Sequence, residues 1–174
     1  MASYIFLFVL FGSLMIHTGA GELFIDFALF ATGKMQGGPA KAAVVSSAIM
    51  GTVSGSAAGN VVTTGTFTIP LMKKVGFPPA FAGAVEACAS SGGQIMPPVM
   101  AATAFIIAET MGVPYIKVVV AAIIPAAMYY WSIFKMVDIE SYMQDLKPLK
   151  QEDLPDLKAE FKEKGHLIIP LAVL

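Results

Sequence analysis

The sequence predicts an all-helical membrane protein in which spanning helices surround a re-entrant helical hairpin and a broken helix. Three observations predict it. The chain has 174 residues, of which 56% are hydrophobic and only 13% charged, whereas a soluble domain carries about 25% charged residues. Its apolar sequence is interrupted at Gly51-Thr-Val-Ser-Gly-Ser-Ala-Ala-Gly-Asn-Val-Val-Thr-Thr-Gly65 and again at Ser90-Ser-Gly-Gly-Gln-Ile-Met-Pro-Pro98. Non-helical backbone at membrane depth is tolerated only where it is buried in protein or lines a polar cavity, so two such breaks imply a built interior.

The elements follow in order. Residues 1–18 are apolar all round and Phe-rich, the remainder of one spanning helix, and Gly19-Ala-Gly21 ends it. Residues 21–34 carry Glu22 and Asp26 one turn apart beside Leu23, Phe24, Phe27 and Phe30, the pattern of an interfacial amphipathic helix. Residues 37–75 form the hairpin. Pro39 suits a helix start, and residues 39–53 give roughly 22 Å of helix at about 1.5 Å per residue, short of a core of about 30 Å. Residues 54–59 make its tip, residues 60–69 return, and Pro70 with Lys73-Lys74 marks the end.

Residues 77–112 form the broken helix, which opens at Phe77-Pro78-Pro79, stops over residues 90–98 and resumes from Pro97. Residues 114–137 are long enough to span with tilt, with Pro125 as a kink and Tyr129, Tyr130 and Trp131 as an aromatic belt near the end. Residues 138–165 are a polar cytoplasmic linker. Residues 166–174 begin another spanning helix, and the abrupt apolar end reads as a fragment cut inside it.

Charge orients the chain. There is no arginine, and Lys34, Lys41, Lys73 and Lys74 cluster at the hairpin base. The positive-inside rule puts that base in the cytoplasm. The single cysteine, Cys88, excludes an intrachain disulfide and a cysteine-rich metal site. No Gly-rich phosphate loop ends in Lys-Ser/Thr, which argues against ATP-driven work. No nucleophile–base pair or metal cluster appears, so the chain reads as no enzyme, and His17 and His166 lack ligand partners at metal spacing. The basic first segment of a cleaved signal peptide is also missing.

The chemistry lies in the two breaks. Half-helix N-termini favour anions, while half-helix C-termini and loose carbonyls favour cations. Ser54, Ser56 and Asn60 add side-chain oxygens at the tip, and Ser90, Ser91 and Gln94 add them at the second break, where Gly92-Gly93 lets carbonyls turn inward. Two breaks of this kind read as the ion and substrate site of a secondary transporter. Small residues at these positions also serve close helix packing. Glu86, a carboxylate within an apolar half-helix, is a functional candidate by default, for proton coupling or to balance a cation. The alternative is a buried, hydrogen-bonded carboxyl. Glu109, Glu22 and Asp26 read as interfacial.

Gly37-Gly-Pro-Ala-Lys41, the run 51–65, Thr66-Phe-Thr-Ile-Pro-Leu-Met-Lys-Lys74 and Ser90 to Pro98, in this order, resemble the large permease subunit of TRAP transporters, with TAXI-type fused permeases the nearest match. The resemblance covers nearly the whole chain. It implies one inverted repeat of an elevator-type transporter of the ion-transporter superfamily, here the first hairpin and its broken helix. It implies a multi-pass protein of the bacterial or archaeal inner membrane. The function implied is uptake of a small organic acid, handed over by an extracytoplasmic solute-binding protein, by symport with sodium or protons. Further partners are the remaining half of the permease, and a small membrane subunit or its fused equivalent. No cofactor is implied beyond Na⁺ as a possible coupling ion. Carried onto this sequence, substrate contacts fall to Ser56, Asn60, Thr63 and Gln94. A sodium site falls to Ser54, Gly55, Asn60, Ser91, Gly92 and Gly93, with Glu86 as the proton-coupling candidate. The tip reads Ala57-Ala-Gly-Asn60, where permeases for sialic acid or C4-dicarboxylates tend to carry a Ser-Ser-x-Ala-Asp type of tip. A channel, or a non-transporting membrane fragment or scaffold, is the alternative.

Overall fold

The computed structural model describes residues 20–146 together with Phe6, Leu10, Leu14, Pro148 and Leu149. Helices α1 (Ala20–Thr32), α2 (Gly38–Ser54), α3 (Ala57–Lys74), α4 (Pro79–Gly92), α5 (Ala102–Thr110) and α6 (Tyr115–Met143) follow one another, and no strand occurs among the described residues. Apart from Phe6, Leu10 and Leu14, the segment expected at 1–18 lies outside the described residues, as do 166–174, most of the linker 138–165 and both histidines.

The hairpin is α2 and α3 packed side by side. Its turn is tighter than the sequence led us to expect. Only Gly55 and Ser56 separate the arms, and Asn60 lies inside the first turn of α3. Ser56 explains this as an N-cap. Its hydroxyl accepts the Gly59 N–H at 3.2 Å, and its carbonyl accepts the Asn60 N–H at 2.9 Å. Pro70 does not end α3, which runs on to Lys74 with Met72 fully buried. A proline removes only one backbone donor, and packing of the following turn outweighs that loss.

The broken helix is more widely parted than expected. α4 stops at Gly92 and α5 begins only at Ala102. Gly93, Gln94, Ile95 and Met96 turn their N–H groups back three residues instead of four, and Ala101 N–H reaches back to the Gln94 carbonyl at 2.9 Å. Pro97 and Pro98 cannot continue a helix within this loop.

α6 runs to Met143, six residues into the stretch expected to be linker. The polar residues that extend it have partners. Asp138 pairs with Lys41, Gln144 bonds Glu140, and Ser141 donates to the Val137 carbonyl at 2.6 Å. Tyr129, Tyr130 and Trp131 therefore sit at mid-helix instead of at its end. α6 is the one helix among the described residues long and apolar enough to cross a membrane.

α4 lies against both hairpin arms, α1 flanks α2, and α6 packs on α2, α4 and α5. The central cluster mixes Ala40, Ala43, Ala82 and Ala89 with Val44, Met72, Phe77 and Val85. Small residues let helix backbones approach closely, which suits an environment where lipid is as apolar as the core. α1 buries Ile25, Ala28 and Leu29 against Ala42, while Phe27 and Phe30 are exposed.

Candidate functional site

The structure brings the two breaks together. Gly55 closes α2 with φ +57°, a left-handed conformation that disfavours side chains, and a Cβ there would collide with the Met100 carbonyl. Met100 itself has φ +56°. An unstrained loop seldom places a non-glycine residue there, and such outliers cluster at ligand clamps and switch regions. One turn back on α2, a Cβ on Gly51 would stand 2.5 Å from the Gly93 Cα, so the hairpin and the break meet backbone to backbone.

Asn60 stands beside this crossing. It is fully buried, and its Nδ2 would lie 3.3 Å from a Cβ on Gly93. That nitrogen donates to the Ser47 carbonyl at 2.9 Å, tying α3 to α2, while Thr64 Oγ1 lies 2.9 Å from the Asn60 backbone carbonyl. Gly55 thus meets the Met100 carbonyl, and one turn back on α2 Gly51 meets Gly93 beside Asn60.

The remaining sequence-derived candidates are placed differently. Ser56 is exposed and its hydroxyl is occupied as the α3 cap. Thr63 turns its methyl group to Gly21 of α1 and its hydroxyl to the Gly59 carbonyl at 2.8 Å, facing away from the break. Ser91 is exposed and donates to the Ala87 carbonyl at 2.7 Å. The Gln94 side chain is on the exposed side. Gly92 packs under the rings of Tyr129 and Tyr130. Close approach, more than special dihedral angles, accounts for glycine at 51, 92 and 93.

Glu86 sits at the centre of a hydroxyl cage. The residue is fully buried, and Thr64, Thr68, Ser47 and Ser90 all donate to its carboxylate, Ser90 at 3.1 Å. Both hairpin arms and α4 therefore converge on one side chain. Sequence reading singled out Glu86 but missed its partners. Their signal was present: Asn60, Thr64 and Thr68 recur every four residues along one face of α3, as Glu86 and Ser90 do on α4. Thr64 joins the cage to the site, since its one hydroxyl proton can go either to Glu86 or to the Asn60 backbone carbonyl.

Comparison with known proteins agrees with this architecture. Residues 1–174 match the family described as tripartite ATP-independent periplasmic transporter, DctM component. The chain is 36% identical over 121 residues to the uncharacterized protein y4mL of Sinorhizobium fredii, covering 70% of this chain and 28% of that protein. It is 26% identical over 156 residues to the C4-dicarboxylate TRAP transporter large permease protein DctM of Pseudomonas aeruginosa, covering 90% and 36%. A protein of Haemophilus influenzae assigned as a TRAP transporter large permease is 29% identical over 168 residues, covering 96% and 39%. The chain spans between 28% and 39% of the length of these relatives. A helical body with two interlocking breaks and a match along its whole length place the chain in the DctM-component family, the large permeases of tripartite ATP-independent periplasmic (TRAP) transporters.

Proposed function

We propose that residues 1–174 form one inverted repeat of an elevator-type permease that imports a small organic acid on an ion gradient. The observation that carries this reading is the seating of the hairpin tip in the helix break. Gly55 lies on the Met100 carbonyl, Gly51 on Gly93, and Asn60 is buried beside them. Backbone carbonyls and the Asn60 and Ser54 oxygens form a hard, neutral donor set, which suits a weakly held Na⁺. Substrate carboxylate meets the N-terminal end of α3 at Ser56, where helix N–H groups gather. Gln94, exposed in the break, contacts the substrate from the other side. An extracytoplasmic solute-binding protein delivers the substrate, and a second hairpin repeat with a small or fused membrane subunit, in the TAXI-type arrangement, completes the permease in the inner membrane. One relative is named for C4-dicarboxylates, which makes succinate the first substrate to offer.

Proton coupling through Glu86 is the second reading. It is favoured by the hydroxyl of Thr64, which joins the buried Glu86 carboxyl directly to Asn60.

The test is uptake of succinate into proteoliposomes holding the complete permease and its binding protein, under a sodium or a proton gradient, with Asn60→Ala beside the wild type. Uptake that requires sodium and disappears in the variant supports the cation site at the tip. Uptake driven by protons and indifferent to sodium sinks that assignment and moves coupling to Glu86.

A further inference from the structure

The break in the helix has a cost that the fold meets from outside. In a continuing α-helix the Gly93 N–H would bond the Ala89 carbonyl. Here it turns to Ser90 at 3.1 Å. A carbonyl deprived of its donor at membrane depth is expensive. The Tyr130 hydroxyl, from mid-α6, donates to that Ala89 carbonyl at 3.0 Å, and the neighbouring Tyr129 donates to the Cys88 carbonyl at 2.8 Å. The two rings stand edge to face, 5.7 Å between centroids, and close over Gly92, where a Cβ would lie 2.6 Å from Tyr129 Cε1 and 2.9 Å from Tyr130 Cζ. At the far side of the break the Tyr115 hydroxyl, at the start of α6, lies 2.7 Å from the Val99 carbonyl, to which it donates, and 2.9 Å from that of Pro98. Its ring stacks on Phe105 of α5 at 4.2 Å between centroids. One helix thus supplies hydroxyl donors to carbonyls on both sides of the break.

We infer that Tyr130, assisted by Tyr129, is a positioning residue for the cation site. It touches no ion. It fixes where α4 ends, and so where the Gly92-Gly93 backbone meets Gly51 and Asn60. This inference rests on the reading of the tip and break as a cation site.

The test uses the complete permease in detergent and sodium chloride as the probe, with choline chloride as the control. A ligand that binds only the folded state raises the melting temperature along its binding curve. Tyr130→Phe keeps the ring over Gly92 and removes only the hydroxyl. The expected result is a lower melting temperature in choline, from the unsatisfied Ala89 carbonyl, together with a sodium midpoint raised by about three- to tenfold. Tyr129→Phe, on the more exposed face, shifts the midpoint the same way by less, and carries the test where Tyr130→Phe does not fold. A lower melting temperature in choline with an unchanged sodium midpoint means a merely structural hydroxyl and overturns the inference. A wild type that sodium does not stabilise overturns the cation reading itself, and this inference with it.

Discussion

Lys41 and Asp138, 97 residues apart in sequence, form an ion pair across the base of the hairpin. The Lys41 side chain is 2% exposed and that of Asp138 is 23% exposed. The ammonium also lies 5.5 Å from the centre of the Phe134 ring. Nearby, Gly37 approaches Ser141 so closely that a Cβ would strike its hydroxyl. The start of α2 is thereby fastened to the last turns of α6. Removing one partner of a buried pair costs about 3–5 kcal/mol, and the partial exposure of Asp138 puts this pair at the lower end of that range. Asp138→Asn and Lys41→Met should each lower the melting temperature of the complete permease. The double variant Lys41→Met/Asp138→Asn should fall less than the sum of the singles. Strict additivity in that cycle would mean the pair contributes no coupling.

The glycines at the crossing can be separated by their surroundings. A Cβ on Gly83 of α4 meets nothing within 4 Å. Gly83→Ala should therefore stabilise the permease by about 0.4–1 kcal/mol, through a less flexible unfolded chain and a better helix former. Gly55→Ala meets a left-handed backbone and the Met100 carbonyl, and Gly51→Ala meets the Gly93 backbone. Both should abolish uptake, because a backbone collision cannot be relieved by rotating a side chain. Active Gly51→Ala protein at normal abundance would show that the hairpin and the break do not touch in the working molecule.

The hairpin and the break were legible in the sequence because glycine, serine and proline in an apolar run contradict a plain spanning helix. Their limits were less legible. Ala57, Ala58 and Gly59 were expected in the turn, and the Ser56 cap draws them into α3. Lys41 was read as one of four basic markers at the hairpin base, and the fold buries it against an acid supplied by α6. Tyr129 and Tyr130 were read as belt residues, and their hydroxyls serve carbonyls 41 positions away. The lysine and tyrosine contacts are partnerships between distant segments, which local periodicity does not encode. The hydroxyl cage was closer to reach. The four-residue spacing of Asn60, Thr64 and Thr68 draws a polar stripe along α3, and Glu86 with Ser90 draws the matching stripe on α4.

The cage makes a prediction of its own. Glu86→Ala would leave a void and deprive four hydroxyls of a common acceptor, at about 2–5 kcal/mol for the lost volume alone. Glu86→Gln keeps the volume and one acceptor oxygen. Under sodium coupling, Glu86→Gln permease should retain sodium-driven uptake while Glu86→Ala protein is depleted from the membrane. Loss of uptake in Glu86→Gln protein of normal abundance and melting temperature would instead point to proton transfer at this carboxyl.

Asn60 offers the sharpest discrimination, because its Nδ2 donates to the Ser47 carbonyl. Asn60→Asp replaces that donor with an oxygen, so two acceptors face each other in a buried place. Without a cation the variant should be less stable than wild type by about 1–3 kcal/mol, the cost of leaving a buried polar group unsatisfied. A cation bound alongside would relieve the repulsion and find a full negative charge where wild type offers a neutral amide oxygen. Sodium should therefore raise the melting temperature of Asn60→Asp permease more than that of wild type, and at lower concentration, since stabilisation grows with affinity. Equal sodium shifts in the two proteins would place the cation away from Asn60, leaving this residue as a strut between α2 and α3.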